Sequence, residues 1–283
     1  MSDRLEVKAG GDLLPFLIAE LNNWSRKKIK QRLQGGCVMV NGNPILRHDH
    51  LLVTGDKVEV TAVEKRRQVA KGHLEVLYSD REIIAVNKPE GLLSVASSRE
   101  NRDHALFILR NQLSRPRRPV KLWPVNRLDR DTSGVLLFAT SHDMREAVAA
   151  LWDKAEKTYL AVVEGCPTLE EGTIDQPLRM DHEEYRMHVG PHEQAKRAVT
   201  HYKCVRTTEN RSLVELKLET GRQHQLRAHM AWLGHAIVGD KRYGNDGPRM
   251  GLHALRLTII HPNSGKRLLF DAPPPENFMA LLR

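Results

Sequence analysis

The sequence predicts an α+β protein, with a small αβ domain followed by a larger domain built on a mainly antiparallel, mixed sheet. Three observations carry this. The chain has 283 residues, more than a typical single domain, so two domains are expected. Its apolar residues fall mostly in short runs of strand length, several of them joined as hairpins, and long helical periods are few. A polar, basic stretch without a firm period, residues 62–73, reads as a linker between residues 1–61 and residues 74–283.

In the first domain, Asp12 is placed to cap a helix in which Leu13, Leu14, Leu17, Ile18 and Leu21 form an apolar stripe. Pro15 falls in its first turn, where a missing N–H matters little. Ser25 caps a second helix, Arg26 to Leu33, with Ile29 and Leu33 one turn apart and facing inward. Gly35-Gly36 ends it, since glycine tolerates the left-handed C-terminal conformation. Cys37 to Val40 reads as a strand and Asn41-Gly42 as a turn. Gly55-Asp56 precedes a last alternating strand, Lys57-Val58-Glu59-Val60. The second helix carries no acid between Arg26 and Gln34. A merely solvated face normally mixes signs, so Arg26, Lys27 and Lys28 are expected to meet phosphates.

In the larger domain, Leu74 to Tyr78 and Ile83 to Asn87 read as strands around an Asp80-Arg81-Glu82 turn. Lys88-Pro89 stops the second strand, because proline cannot donate to a central ladder. Arg110 to Lys121, basic and with two prolines, is expected to be a surface loop that touches phosphates, or else only a solubilising one. Val135 to Ala139 is a buried strand and Thr158 to Glu164 another. Ala198 to Val205 and Leu213 to Leu218 form a hairpin through Glu209-Asn210-Arg211. A helix from about Gln223 to Leu233 buries Leu226, Met230 and Leu233, and Gly234 stops it.

The net charge of +9 points to a polyanionic partner without separating RNA from DNA or an anionic membrane. No long basic amphipathic helix supports the membrane. No apolar run approaches the ~20 residues needed to span a bilayer. The N-terminus, Met1 to Val7, lacks the apolar core of a secretory signal. Cys37, Cys166 and Cys204 lie far apart, which argues against a disulfide framework or a cysteine zinc site and fits a reducing cytoplasm. The fourteen histidines, His48/His50 and His224/His229 among them, form no HExxH array, so no metal is expected.

The most pointed segment is Asn126-Arg127-Leu128-Asp129-Arg130-Asp131-Thr132-Ser133-Gly134. It sets the carboxylate of Asp129 between arginines, in a loop just before a buried strand. A loop anchored to the core can hold a reactive group rigidly. Taken alone, the same charges also suit an Arg–Asp pair that pins a loop.

The order of elements in residues 12–61, with Gly35-Gly36-Cys37-Val38-Met39-Val40-Asn41-Gly42 and Gly55-Asp56-Lys57-Val58, resembles an S4 RNA-binding domain. The larger domain resembles the RluA-type pseudouridine synthases over nearly all of residues 75–283. The segments that carry the likeness come in order: Asp80 to Leu92; Arg127-Leu128-Asp129 with Asp131 to Gly134; Lys157-Thr158-Tyr159; and Thr220 to Arg227, His229, Gly239-Asp240 and Tyr243-Gly244. Leu252-His253-Ala254, His261-Pro262 and Asp271-Ala272-Pro273 follow.

The resemblance implies a pseudouridine synthase fold and the isomerisation of uridine within RNA. The N1–C1′ bond breaks, the base rotates and C5 bonds to C1′, with no cofactor and no metal. It implies that Asp129 is the carboxylate that meets the nucleotide, at C1′ or on the base. Arg222 is then its counter-cation, with Arg227 either an alternative or a phosphate contact on a helix surface. Arg127 enters the space left by a flipped base. Tyr159 stacks on the uracil and can accept the C5 proton, and Leu226 packs beside the base. Lys88 meets phosphate or closes a turn. His224 and His229 support the loop, and Asp131 caps it. One departure stands out: Asn126 occupies the position of the family's histidine, and asparagine cannot titrate near neutral pH. The expected partner is RNA, large-subunit ribosomal RNA first and tRNA second. A non-catalytic RNA-binding assembly factor is the alternative from another class. A cytoplasmic monomer is expected, with no membrane partner and no small-molecule cofactor.

Overall fold

The computed structural model describes residues 3–34, 37–41, 43–45, 48–60, 72–96, 104–115 and 119–282. The chain divides into two compact units, 1–69 and 70–283. The Gly35-Gly36 helix stop, the Gly42 half of the turn and most of the linker (61–71) lie outside the described residues. No helix is long and apolar enough to cross a membrane among those described.

The first unit runs β1 (Asp3–Glu6), β2 (Gly11–Asp12), α1 (Leu13–Glu20), α2 (Arg26–Gln34), β3 (Val38–Val40), β4 (Asn43–Pro44), β5 (Leu51–Leu52) and β6 (Lys57–Val60). An antiparallel sheet in the order β1-β6-β3-β4 takes both helices onto its apolar side. Leu13, Leu17, Ile29, Leu33, Val38 and Val58 fill the core, each 2% exposed or less. Ser25 caps α2 through the Lys28 amide at 3.2 Å. Asp12 does not cap α1 with its carboxylate. The first amides of that helix instead donate to carbonyls of a neighbouring loop, Leu13 N to His50 O at 2.9 Å and Leu14 N to His48 O at 3.1 Å. Those donors are already satisfied, so a side-chain cap has nothing to add.

The second unit runs β7 (Glu75–Ser79), β8 (Ile83–Lys88), α3 (Ala105–Leu113), β9 (Trp123–Pro124), β10 (Ser133–Ala139), α4 (His142–Ala150), β11 (Glu156–Glu164), β12 (Glu171–Asp175), β13 (Leu178–Asp181), β14 (Arg186–Val189), β15 (Val199–Thr207), β16 (Arg211–Leu218), α5 (Gln225–Trp232), β17 (Leu252–Ile260), β18 (Arg267–Asp271) and α6 (Glu276–Met279). Ten of these strands form one sheet, ordered β12-β15-β16-β11-β17-β10-β8-β7, with β18 beside β17 and β9 beside β10. The β10–β17 pair is parallel and the others in that sheet are antiparallel. The mixed, mostly antiparallel α+β architecture is the one expected. Between β7 and β8, Asp80 accepts the amides of Glu82 and Ile83, each at 2.7 Å, which fixes the turn.

Arg110 to Leu113 differ from the expected loop. They complete α3, which packs Ala105, Ile108 and Leu109 into the core, and Arg110 donates to the Leu122 carbonyl. Charge and prolines dominated the sequence signal there, whereas burial of one apolar face decides the fold. Of the rest of that stretch, 116–118 are outside the described residues.

Candidate active site

The centre of the larger sheet carries the site. Strand β10 enters beside β17 in parallel, with Gly134 opposite Ala254. Gly134 has φ +112°, and a Cβ there would stand 2.1 Å from the Ala254 carbonyl oxygen, so only glycine permits the approach. The loop that feeds this strand, residues 126–132, forms one wall of a cleft of about 630 Å³.

Three side chains pin that loop from behind. Asn126 Oδ1 accepts the N–H of Leu137 at 2.8 Å, extending in side-chain form the pairing that Val125 N–H makes to Leu137 O at 2.9 Å. Ser94 Oγ accepts the Leu128 amide at 2.9 Å and donates to the Leu128 carbonyl at 2.8 Å. Lys88, fully buried, donates to the carbonyls of Pro89, Leu92 and Arg130 at 2.9, 2.7 and 3.0 Å. Burial pulls its ammonium down to about 7, against the pull of Asp131, Asp129 and Glu90. Lys88 is therefore not a phosphate contact. All three of its donors are spent on backbone beneath the Asp129 loop. Asn126 likewise acts on the loop, and a histidine ring nitrogen could accept the same bond.

Asp129 itself faces the cleft, its side chain 33% exposed. Its counter-cation is not Arg222. Arg222 is exposed on the cleft rim, and its Nε donates to the Arg197 carbonyl at 3.1 Å. Arg227 reaches Asp129 instead, with Nη1 3.0 Å from Oδ2. The other side of the same guanidinium holds Asp240 in a two-pronged bond, Nε to Oδ2 at 2.7 Å and Nη2 to Oδ1 at 2.8 Å. Arg227 sits in the first turn of α5, where it can point back across the cleft, whereas Arg222 lies in the turn before the helix. That turn is set by buried Gln225, whose carbonyl oxygen accepts from the Arg222 amide and the Thr220 hydroxyl while its amide nitrogen donates to Val199 O and Thr200 Oγ1. Burial opposes the charge on Arg227, but Asp240 and then Asp129 overcome it and hold the guanidinium firmly protonated. Asp240 is fully buried and also accepts the amides of Arg242 and Tyr243, at 3.1 and 3.2 Å. Gly239 just before it has φ +73°, and a Cβ there would meet the Arg249 carbonyl at 1.9 Å.

His224, in the left-handed conformation at the start of α5, brings Nε2 to 3.7 Å from Asp129 Oδ2. The Tyr243 hydroxyl accepts the Met187 amide at 2.7 Å and lies 3.1 Å from His224 Nδ1. Burial keeps this imidazole's pKa below the ordinary histidine value, Asp129 working against it and Arg227 and Arg242 with it. His229 is buried between Thr200 Oγ1 and the Gln176 carbonyl, both at 2.9 Å, and is structural.

Tyr159 lies on the same cleft. In the β11–β17 pairing the register slips between Thr158 and Leu160, so Ala254 and Leu255 together face this one residue. Such a bulge re-aims a side chain at a sheet centre. Burial, and then the charge of Asp129, push the Tyr159 phenol up to about 12. It is a neutral hydroxyl at neutral pH and not a resting base. Leu226 is buried in the cleft wall, and Arg127 is exposed at its mouth. Among the described residues, no three His, Cys, Asp or Glu side chains converge where a metal ion could sit. The arrangement sets a carboxylate, a guanidinium held from two sides and a phenol ring on one cleft.

A family model described as RNA pseudouridylate synthase matches residues 82–232, just over half of the chain. The chain belongs to that family. Similar relatives include the uncharacterized RNA pseudouridine synthase YlyB of Bacillus subtilis, 33% identical over 94% of this chain and 91% of that protein. The ribosomal large subunit pseudouridine synthase D of Zymomonas mobilis is 31% identical over 98% of this chain and 95% of its own. Among solved structures, human RNA pseudouridylate synthase domain containing 1 superposes with a TM-score of 0.61 at 25% identity, covering 72% of this chain and 84% of that one. This RNA pseudouridine synthase therefore acts on uridine in RNA.

The basic helix of the first unit also has a defined surface. Arg26, Lys27, Lys28 and Lys30 are exposed, and Lys28 Nζ sits 3.8 Å from the centre of the Trp24 ring. In the larger unit, sequence reasoning missed the roles of Asp240 and Ser94 and all of Tyr185 and Arg242, which also line the cleft. For Asp240 a signal existed: an acid that ends the apolar run Ala236-Ile237-Val238-Gly239 calls for a buried cation.

Proposed function

We propose that this synthase isomerises uridine in large-subunit ribosomal RNA, with Asp129 as the reacting carboxylate and Arg227 as its counter-ion. The target class is supported by the relatives named for the ribosomal large subunit. The observation that carries the site assignment is the Asp129–Arg227–Asp240 array on a cleft that also holds Tyr159. Both cationic and histidine contacts fall on Asp129 Oδ2, so Oδ1 is the oxygen that bonds the nucleotide, at C1′ or on the uracil ring, as N1–C1′ breaks. The base turns, C5 bonds to C1′, the bond to Asp129 Oδ1 breaks and returns the free carboxylate, the proton leaves C5 and N1 gains one. The sum is an isomerisation with no electron transferred. Tyr159 stacks on the uracil and Leu226 packs beside it. Arg127 fills the space the flipped nucleotide leaves, offsetting part of an unstacking cost of a few kcal/mol. The first unit acts as an S4-like module whose Arg26, Lys27 and Lys28 hold the phosphate backbone. The enzyme works in the cytoplasm as a monomer.

The test uses RNA from a strain lacking this gene, labelled with tritium at C5 of uridine and separated into ribosomal and transfer fractions. Tritium release from the large-subunit fraction, absent with Asp129→Asn although that variant still binds, is the expected result. Carbodiimide mapping then gives the position. Release from tRNA alone would overturn the target, and release by Asp129→Asn would overturn the assignment of the carboxylate.

A further inference from the structure

We propose that the tip of the β13–β14 hairpin, Tyr185 backed by Arg242, is a stacking platform for a base that flanks the target uridine. The proposal rests on the reading that RNA enters the cleft beside Asp129.

A surface tyrosine by itself calls for no explanation. Tyr185 combines three features that do. It is 59% exposed, and it lies on the cleft that Asp129 lines. Its φ is +53°, a left-handed conformation that large side chains avoid and that asparagine or glycine adopts readily. Held strain of this kind concentrates where a side chain must be presented to a ligand.

The strain is held by named contacts. Arg242 Nη1 donates to the carbonyls of Glu184, at 3.2 Å, and of Tyr185 itself. The same guanidinium lies over the Tyr185 ring, 5.6 Å from its centre. One ring face is thus backed by a cation and the ring remains accessible to solvent. A flat, electron-rich ring beside a fixed positive charge suits a nucleobase and its phosphate. Lower down the hairpin, the Met187 amide is bonded to the Tyr243 hydroxyl, and the Arg186 guanidinium lies 5.1 Å from the centre of the Tyr243 ring.

The platform is also tied to the reacting group. Asp129 bonds Arg227, Arg227 bonds Asp240, Asp240 accepts the Arg242 amide, and Arg242 holds Tyr185. A residue whose backbone is tied through four such contacts keeps its place relative to the carboxylate. It can therefore select the geometry of the nucleotide next to the one being modified, and not merely add affinity.

The experiment measures kcat/KM by tritium release from the same C5-labelled RNA, with Tyr185→Asn and Tyr185→Phe beside the wild type. Asparagine suits the left-handed backbone, so Tyr185→Asn is expected to melt at the same or a higher temperature. It should nonetheless lose about five- to a hundredfold in kcat/KM, the range for removing one base–aromatic stack. Tyr185→Phe keeps the ring and should stay close to wild type. The salt dependence should keep its slope in Tyr185→Asn, since no phosphate contact is removed. Undiminished kcat/KM in Tyr185→Asn, or equal losses in Asn and Phe, overturns the platform. If the wild type releases no tritium, the isomerisation reading falls separately. Quenching of a fluorescent purine placed beside uridine in a short single-stranded RNA then decides the platform, which fails if Tyr185→Asn quenches as the wild type does.

Discussion

Replacing Arg227 and replacing Arg222 should have very unequal consequences, and the difference can be worked from their surroundings. Arg227→Met strands Asp240, which is fully buried and keeps only the amides of Arg242 and Tyr243 as donors. Breaking a buried ion pair by removing one partner costs about 3–5 kcal/mol, a large share of the roughly 5–15 kcal/mol that holds a domain together. Arg222 is exposed, with one bond to a backbone carbonyl, so Arg222→Met should stay within about 0.5 kcal/mol of wild type in stability. Arg227→Lys keeps the charge but loses the fork that serves two carboxylates at once. Its turnover should fall on the order of a hundredfold, as when one fixed donor to a reacting group is lost. Urea unfolding followed by near-ultraviolet circular dichroism gives the stabilities, and tritium release from C5-labelled RNA gives the turnover. The double variant Arg227→Met/Asp240→Leu removes both buried charges. It should recover most of the stability and none of the activity, which separates misfolding from lost chemistry. An active double variant, or an Arg222→Met as unstable as Arg227→Met, would refute this assignment of the cation.

Acid should weaken the larger unit from about pH 6.5 downward. Burial lowers the folded pKa of His224, His229 and His253, so below the unfolded value of ~6.5 the unfolded chain binds more protons, and stability falls as pH drops through the folded values. Thermal melts between pH 7.5 and 5 measure this, and His229→Gln with an unchanged acid limb would exclude His229 from it. Lys88→Met leaves the carbonyls of Pro89, Leu92 and Arg130 without their donor, at a net cost of about 3 kcal/mol near neutral pH once the recovered ammonium desolvation is counted. The wild type binds fewer protons at Lys88 than its unfolded chain does from about pH 7, the folded value, up toward the ordinary lysine range. Its stability should therefore gain with alkalinity there, and urea titrations of Lys88→Met should lack that gain.

Strands and their stops were legible because apolar runs and Gly or Pro punctuation are local signals. Ile83 to Asn87, stopped at Lys88-Pro89, and Val135 to Ala139, after Gly134, are read from such signals and lie within β8 and β10. What could not be read were relations across the chain. Asp129 and Arg227 lie 98 positions apart, and the rotation of α5 about its axis decides which arginine arrives. Spacing in the sequence carries no trace of that rotation. Lys88 reads equally as a phosphate contact or a turn-closing group until three carbonyls from separate positions converge on it. Tyr185 draws no reading at all, because backbone strain leaves no mark on a tyrosine's letter.

The sharing of one guanidinium by two acids is itself informative about the proposed chemistry. A carboxylate that owned its cation outright would lose nucleophilic strength to the bond. Here Asp240 takes the Nε–Nη2 edge of Arg227 and leaves a single Nη1 contact for Asp129. The three groups sum to one net negative charge, and of the two that line the cleft Asp129 is the more exposed, Arg227 being nearly buried and Asp240 fully so. Because Asp240 fixes the guanidinium beforehand, the cation would not have to reorganise if, as proposed, charge moves from Asp129 Oδ1 into a bond with the nucleotide. Asp240 thus sets how much of the arginine Asp129 can draw on, and an Asp240→Asn variant should test whether that division, and not the presence of the cation alone, sets the rate: kcat should fall while the wild-type RNA affinity is kept, and an unchanged kcat would show that Arg227 alone suffices.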